Sequence, residues 1–369
     1  MSQFSDTYES NKLRQENHIS QKVLGIDAAN SEILTRPEVY AQAFRFLRNI
    51  RGYHPQKPEG FRLGITYHVG EDFVDVVDGL RALDELLLFM NYSAGDRLGH
   101  ALVLGVNVKD YYAGRQYSVC MTRQMLLDNA VWLYHKLYEY GAFKAAQDIL
   151  EGIFKNQFEY IFGAHGDIYS YYCSCLLRGD NPSKYTPDGS IKKLGLGLWN
   201  ETALNEVVKN VRNSKSTCIL YYRYHYDEDV KTKGTEMTTF VIDEKGFLID
   251  AIAYVQSKMR AKVQNMGVFI ECNPTSNFKI GEIDRYDQHS IYQFYDYRKG
   301  KRYSHISSSI NTDDKGIFST SIEREYALIY AAFKRKTEIN RPLYEKKPDI
   351  VEWLDEIRKH SLNQSFLKP

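Results

Sequence analysis

Phe61-Arg62-Leu63-Gly64-Ile65-Thr66-Tyr67-His68-Val69-Gly70-Glu71 is the stretch on which the reading of the fold turns. Its first half is a short apolar run of the length of a buried strand, and its second half closes on polar groups. A strand ending in His-x-Gly-Glu sets an imidazole beside a carboxylate, with a glycine that lets the backbone pass close to a neighbour. Imidazole is a common zinc ligand, and a nearby glutamate can move protons for a metal-activated water. A core histidine satisfied by the backbone is the plain alternative for so short a pattern. Its weight therefore depends on what the other strand ends carry.

Upstream, Val23-Leu24-Gly25-Ile26-Asp27 reads as a buried strand ending in a carboxylate. Residues 38–51 then show helical spacing through Val39, Ala43, Phe44, Phe46, Leu47 and Ile50, followed by a Pro/Gly-rich turn over 54–60. Downstream, Val76, Val77, Leu80, Leu83 and Leu87 mark a helix within 72–89, and Asp96-Arg97-Leu98-Gly99-His100 is a further strand end. The order β-α-β-α-β predicts a parallel sheet with helices packed outside it. Regular alternation then stops for about 150 residues. That stretch predicts helices over 123–140 and 145–161, a Gly/Asn/Pro-rich region over 179–197, and a β-like pair, 218–226 with 237–242. Alternation returns with a helix over 251–264 and a strand, 267–272, running into Asn273-Pro274-Thr275-Ser276-Asn277. A last strand, 305–310, ends in Asn311-Thr312-Asp313-Asp314, and a helix over 322–334 follows.

In a β/α barrel the active site lies at the C-terminal ends of the strands. Those ends supply Asp27, His68 with Glu71, His100, the Asn-Pro-Thr-Ser-Asn turn, and Asp313 with Asp314. Two histidines and several carboxylates on one face need a compensating partner, and a metal ion is one. On that reading His68 and Asp313 are the metal ligands, His100 orients or deprotonates a metal-bound water, and Glu71 hands over a proton. The alternatives are a structural Asp27, and Asp313-Asp314 as a cap for the following helix. Cys173 and Cys175, with His165 nearby, read as packed thiols, and the tyrosine-rich runs 169–172 and 221–226 as an insertion core or subunit interface.

The motifs Gly25-Ile26-Asp27, His68-Val69-Gly70-Glu71, Arg97-Leu98-Gly99-His100, Pro274-Thr275-Ser276-Asn277 and Asn311-Thr312-Asp313-Asp314 resemble, in order, those of the metal-dependent adenosine deaminases of the amidohydrolase superfamily. The resemblance implies a zinc-dependent (β/α)8 barrel that removes the purine 6-amino group of adenosine or a related adenine nucleoside or nucleotide. It implies His68 and Asp313 as zinc ligands, Glu71 as the residue that protonates the purine ring, and His100 as the one that steers the hydroxide. Asp314, Gly70 and Asn30 fall at purine-contacting positions; Asn30 and Ala101 each stand where the family has glycine, and Asn273 where cysteine is common. The family's first-strand His-x-His occurs nowhere in the chain, and the first recognisable strand matches the family's fourth. The expected fold is thus α/β, an incomplete TIM-type barrel of about strands 4–8. Residues 1–109 would form its first part, 110–250 a large mainly helical insertion, and 251–369 its last part and C-terminal helices. The insertion resembles those of RADAR-type antiviral deaminases. A complementing N-terminal chain or a homo-oligomer would complete the site. The rival readings are a non-catalytic scaffold that assembles through the insertion, and another metal hydrolase of the superfamily.

Bulk properties agree with a globular chain. The 369 residues carry 48 basic and 47 acidic side chains for a net charge of +1, so neither a nucleic-acid-binding tail nor a membrane-seeking face is indicated. No apolar run approaches the roughly 20 residues that span a bilayer. The first residues lack the pattern of a signal peptide, and five scattered cysteines suit reduced thiols; a cytoplasmic location is the expectation.

Overall fold

The apolar runs around His68 become parallel strands in a computed structural model that describes residues 23–29, 31–49, 51–54, 57–193, 204–298, 304–339 and 349–366. In chain order the strands are β1 (Gly25–Ile26), β2 (Arg51–His54), β3 (Lys57–Arg62), β4 (Gly64–Val69), β5 (Arg97–His100), β6 (Ser118–Thr122), β7 (Met237–Val241), β8 (Phe269–Cys272) and β9 (Ser308–Ile310). One five-stranded sheet has the order β1-β4-β5-β8-β9, and all its neighbours are parallel. Parallel neighbours need long crossovers. Helices Pro37–Asn49, Val76–Phe89 and Phe247–Asn265 lie in the first three of the four, and the short helices Pro274–Lys279 and Ile291–Phe294 in the β8–β9 connection.

Side chains alternate between the two faces of the sheet. Ile65, Tyr67, Val69, Leu98, Ile270, Cys272 and Ile310 are buried in the main core. Tyr67 there meets the edges of Tyr40 and Phe44, with centroids 6.3 and 5.7 Å away. The opposite face is polar: Glu271 accepts from Thr66 Oγ1 at 2.8 Å and pairs with Arg97 Nε at 2.9 Å. His68 follows Thr66 by two residues and so points from the same face. The Arg97 guanidinium lies 4.0 Å from the centroid of Phe366. That ring occupies the space over Gly25 and Gly64, where an added Cβ would come within 2.4 and 2.2 Å of it.

The Val76–Phe89 helix is buried almost all round, including Asp78, Arg81, Asp84 and Glu85. Buried charges persist only when paired. Arg81 reaches Asp78 at 2.9 Å and Glu85 at 2.8 Å, while Arg36 reaches the same two carboxylates at 2.8 and 2.9 Å. Helix Arg123–Glu139 adds Asp128, which pairs with Arg178 at 2.6 Å and accepts from the Tyr171 hydroxyl at 2.7 Å. Asp84 accepts from Trp132 Nε1 at 2.9 Å and pairs with Lys136 at 3.0 Å and Lys262 at 2.6 Å. This charged seam joins the middle of the chain to the sheet's outer helices. Within that middle, Leu127, Val131, Phe154, Phe158, Ile161, Phe162, Tyr171 and Val230 form one apolar cluster. Leu177, Tyr185, Leu204, Val208, Cys218 and Tyr221 form another. An antiparallel ribbon, β6 against β7, ties its start to its end.

Several expectations are corrected. Residues 218–226 lie in helix Lys215–Tyr226, not in a strand, and β7 pairs with β6 instead. The tyrosines at 222, 224 and 226 imitate a period of two, but the buried residues Thr217, Cys218 and Tyr221 follow helical spacing. Of the expected 54–60 turn, His54 ends β2 and residues 57–60 belong to β3, its antiparallel partner; residues 55 and 56 lie outside the described residues. β1 is two half-buried residues, not a buried strand. In Pro37–Asn49 the inward stripe is Ala41, Phe44, Arg45 and Arg48, with Val39 63% exposed. Arg45 turns inward because Gly179 O accepts from its Nη2 at 2.6 Å. Among the described residues no helix is long and apolar enough to cross a membrane.

Candidate active site

The C-terminal ends of β4, β5, β8 and β9 bring His68, Glu71, His100, Asn273, Ser276, Asn277 and Asp313 together. His100 is completely buried and carries a left-handed backbone, φ +64°, as do Ala101 at +48° and Asp313 at +54°. Such angles are unfavourable for residues with a Cβ and persist where surrounding packing imposes them. Two glycines are required. Gly70 has φ +76°, and a Cβ there would sit 2.6 Å from Val103. Gly99 lies under His68, whose Cδ2 would be 2.8 Å from an added Cβ.

His100 is the hub. Its Nδ1 lies 3.1 Å from Glu71 Oε1, and its Nε2 lies 3.4 Å from His68 Nδ1 and 3.8 Å from Asp313 Oδ2. Burial opposes charge on both partners. For His100 the Glu71 hydrogen bond and charge outweigh burial, with help from Asp313 and Glu32, and raise its pKa. For Glu71 the same bond, with Asn277 and Ser276, outweighs burial and holds it below the usual carboxylate range. Both shifts favour the charged pair, an imidazolium beside a carboxylate, and Asn277 Nδ2 lies 2.8 Å from the same His100 Nδ1. Glu71 Oε1 also accepts from Asn277 Nδ2 at 2.7 Å and Ser276 Oγ at 3.2 Å.

Three supporting residues carried no local signal in the sequence. Glu32 accepts from the backbone N–H of Gly70 and, at 3.1 Å, from that of Glu71, clamping the turn. Burial drives its pKa up to about 7 against those bonds and the charge on His100. Glu325, completely buried, accepts from Thr275 N at 2.9 Å and from the hydroxyls of Thr275 and Thr320, anchoring the turn after β8. His289, also buried, lies 3.0 Å from Asn277 Oδ1. Only proximity in the fold reveals them.

The sequence-selected residues divide. His68, Glu71, His100 and Asp313 converge. Gly70 is adjacent, but its N–H is already used by Glu32. Asp314 is exposed and makes no side-chain cap bond to the Lys315–Phe318 turn it precedes. Asn30 lies outside the described residues. Asp27 is 48% exposed at the side chain, 4.0 Å from His68 Nε2. Cys173 is buried and Cys175 half-buried in the insertion, and His165 is 91% exposed, 3.6 Å from Glu159. Of the two tyrosine-rich runs, Tyr171 and Tyr221 are buried in the insertion's core while Tyr169 and Tyr226 are exposed.

The two expected ligands both face His100 Nε2, His68 Nδ1 at 3.4 Å and Asp313 Oδ2 at 3.8 Å. Among the described residues no group of three His, Cys, Asp or Glu side chains is arranged to hold a metal ion. The donor set thus fits zinc only in part: His68 and Asp313 are two donors of a cage that these residues do not complete. No protein-family model matches the chain, and no curated protein matches it.

Proposed function

We propose that the chain carries the acid–base half of an adenosine-deaminase-like hydrolase, on a sheet corresponding to about strands 4–8 of a (β/α)8 barrel. The observation that carries this reading is the Glu71–His100–Asn277 cluster at adjoining strand ends, with Glu71 Oε1 2.7 Å from Asn277 Nδ2 and 3.1 Å from His100 Nδ1. The substrate class is an adenine nucleoside or nucleotide. Water adds at C6 and ammonia leaves, giving the inosine product. Glu71 relays to a purine ring nitrogen a proton taken from His100 Nδ1, 3.1 Å away, the attacking water's own proton replaces it, and His100 orients the attacking oxygen through Nε2. Zinc, when bound by His68 and Asp313 with ligands from outside the described residues, supplies an activated water. Those further ligands would come from an N-terminal chain or another copy, and a cytoplasmic location suits the free thiols.

Metal analysis of the stripped and zinc-reloaded chain tests the reading. Stoichiometric zinc that is lost in His68→Ala supports it. Zinc at background, also in the presence of a polypeptide bearing a His-x-His strand, rejects it. A second reading is a non-catalytic scaffold that assembles through the insertion; among the described residues no third donor joins His68 and Asp313. Persistent background zinc would select that one.

A further inference from the structure

We propose that His289 is a positioning residue that holds the Asn277 carboxamide in one orientation, with its amino group toward Glu71 and its carbonyl turned away. A carboxamide has the same shape either way round, so its partners must decide. The backbone N–H of Ile291 donates to His289 Nδ1 at 3.0 Å, which requires a lone pair on that nitrogen. Burial, then the charge on His100, lowers the His289 pKa to about 3, so the ring is neutral and its single proton sits on Nε2. Nε2–H can only donate, and the Asn277 atom 3.0 Å away is therefore the oxygen. The N–H of Asn273 at 3.2 Å makes the same demand.

The amino group is thereby delivered to Glu71 Oε1 at 2.7 Å. The amino group also lies 2.8 Å from His100 Nδ1, but a flipped carboxamide would oppose oxygen to the Glu71 carboxylate and nitrogen to two obligate donors, His289 Nε2–H and Asn273 N–H, and those three contacts decide. Ser276 and His100 also contact Oε1. The three polar contacts of the carboxylate among the described residues all fall on Oε1, which leaves Oε2 as the oxygen presented to a substrate. Only the identification of Glu71 as the reacting carboxylate rests on the proposed function; the orientation of Asn277 does not.

The test uses the whole chain labelled with 15N-histidine and a two-bond 1H–15N spectrum, which distinguishes imidazole tautomers. The expected result is one Nε2–H imidazole that stays neutral from about pH 5 to 8 and disappears in His289→Gln. Should that variant not fold, the signal is assigned by its through-space contact to the Asn277 amide. A Nδ1–H form, or titration within that range, overturns the proposal. A kinetic comparison on adenosine and AMP adds the functional side. His289→Leu lowers kcat roughly 10-fold or more with KM unchanged, because a buried acceptor loses its donor, and His289→Gln, which keeps a donor, restores it to within about 3-fold. Equal losses in both variants, or a change in KM alone, overturn the positioning role. If the wild type turns over neither compound, alone or with a polypeptide supplying a His-x-His strand, the hydrolase reading fails and the imidazole spectrum still decides this one.

Discussion

Glu71 is held by groups from two other strand ends and by a clamp on its own backbone, so single atoms have separable effects. Glu71→Gln keeps the shape but removes the proton carrier, and kcat should fall roughly 10²–10⁴-fold with the fold intact by circular dichroism. Gly70→Ala forces a side chain into a left-handed backbone and against Val103; thermal unfolding should report a loss of about 2–4 kcal/mol. Glu32 gives a pH signature. Its folded pKa of about 7 lies above the ordinary 4.5, so the folded state binds this proton more tightly than the unfolded one. Stability contributed by Glu32 is present below about pH 4.5 and is lost as pH rises through about 7. Glu32→Gln should flatten the fall in melting temperature between those values relative to wild type, and an unchanged slope would contradict it. The His100–Glu71 pair acts on both sides. The raised His100 stabilises until pH rises past its folded pKa, and the depressed Glu71 until pH falls past its own.

At the scale of elements, the parts legible in the sequence were those with local causes. Short apolar runs ending in polar residues gave four of the strand ends, and i, i+3/i+4 stripes located helices Arg123–Glu139 and Lys144–Phe162 to within a residue or two. Helix Lys215–Tyr226 was illegible because its tyrosines alternate like a strand while tertiary packing of Tyr221 decides the outcome. The inward arginines of Pro37–Asn49 were illegible for a related reason, since their partners lie far along the chain. The same holds in the site. His68, Glu71, His100 and Asp313 stand in recognisable motifs, whereas Glu32, His289 and Glu325 act through contacts that only the fold creates. The charged seam gives the element-scale prediction. Arg178→Leu strips Asp128 of its closest cation while leaving it buried, which should cost about 3–5 kcal/mol and loosen helix Ile168–Leu176 in hydrogen exchange.

At the scale of the molecule, the sheet ends in β1 on one side and β9 on the other. Its polar face carries Arg97, Glu271 and His68, each side chain 21–23% exposed. A closed barrel has no edges and shields its interior. Under the proposed function, a further polypeptide segment would close this face and complete the donor set. The most direct measurement is ammonia release from adenosine and AMP by the zinc-reloaded chain, alone and with a polypeptide supplying a His-x-His strand, for wild type and Glu71→Gln. The account predicts release in at least one of the two conditions, abolished by Glu71→Gln. No ammonia from either compound in both conditions, or release that survives Glu71→Gln, would contradict it.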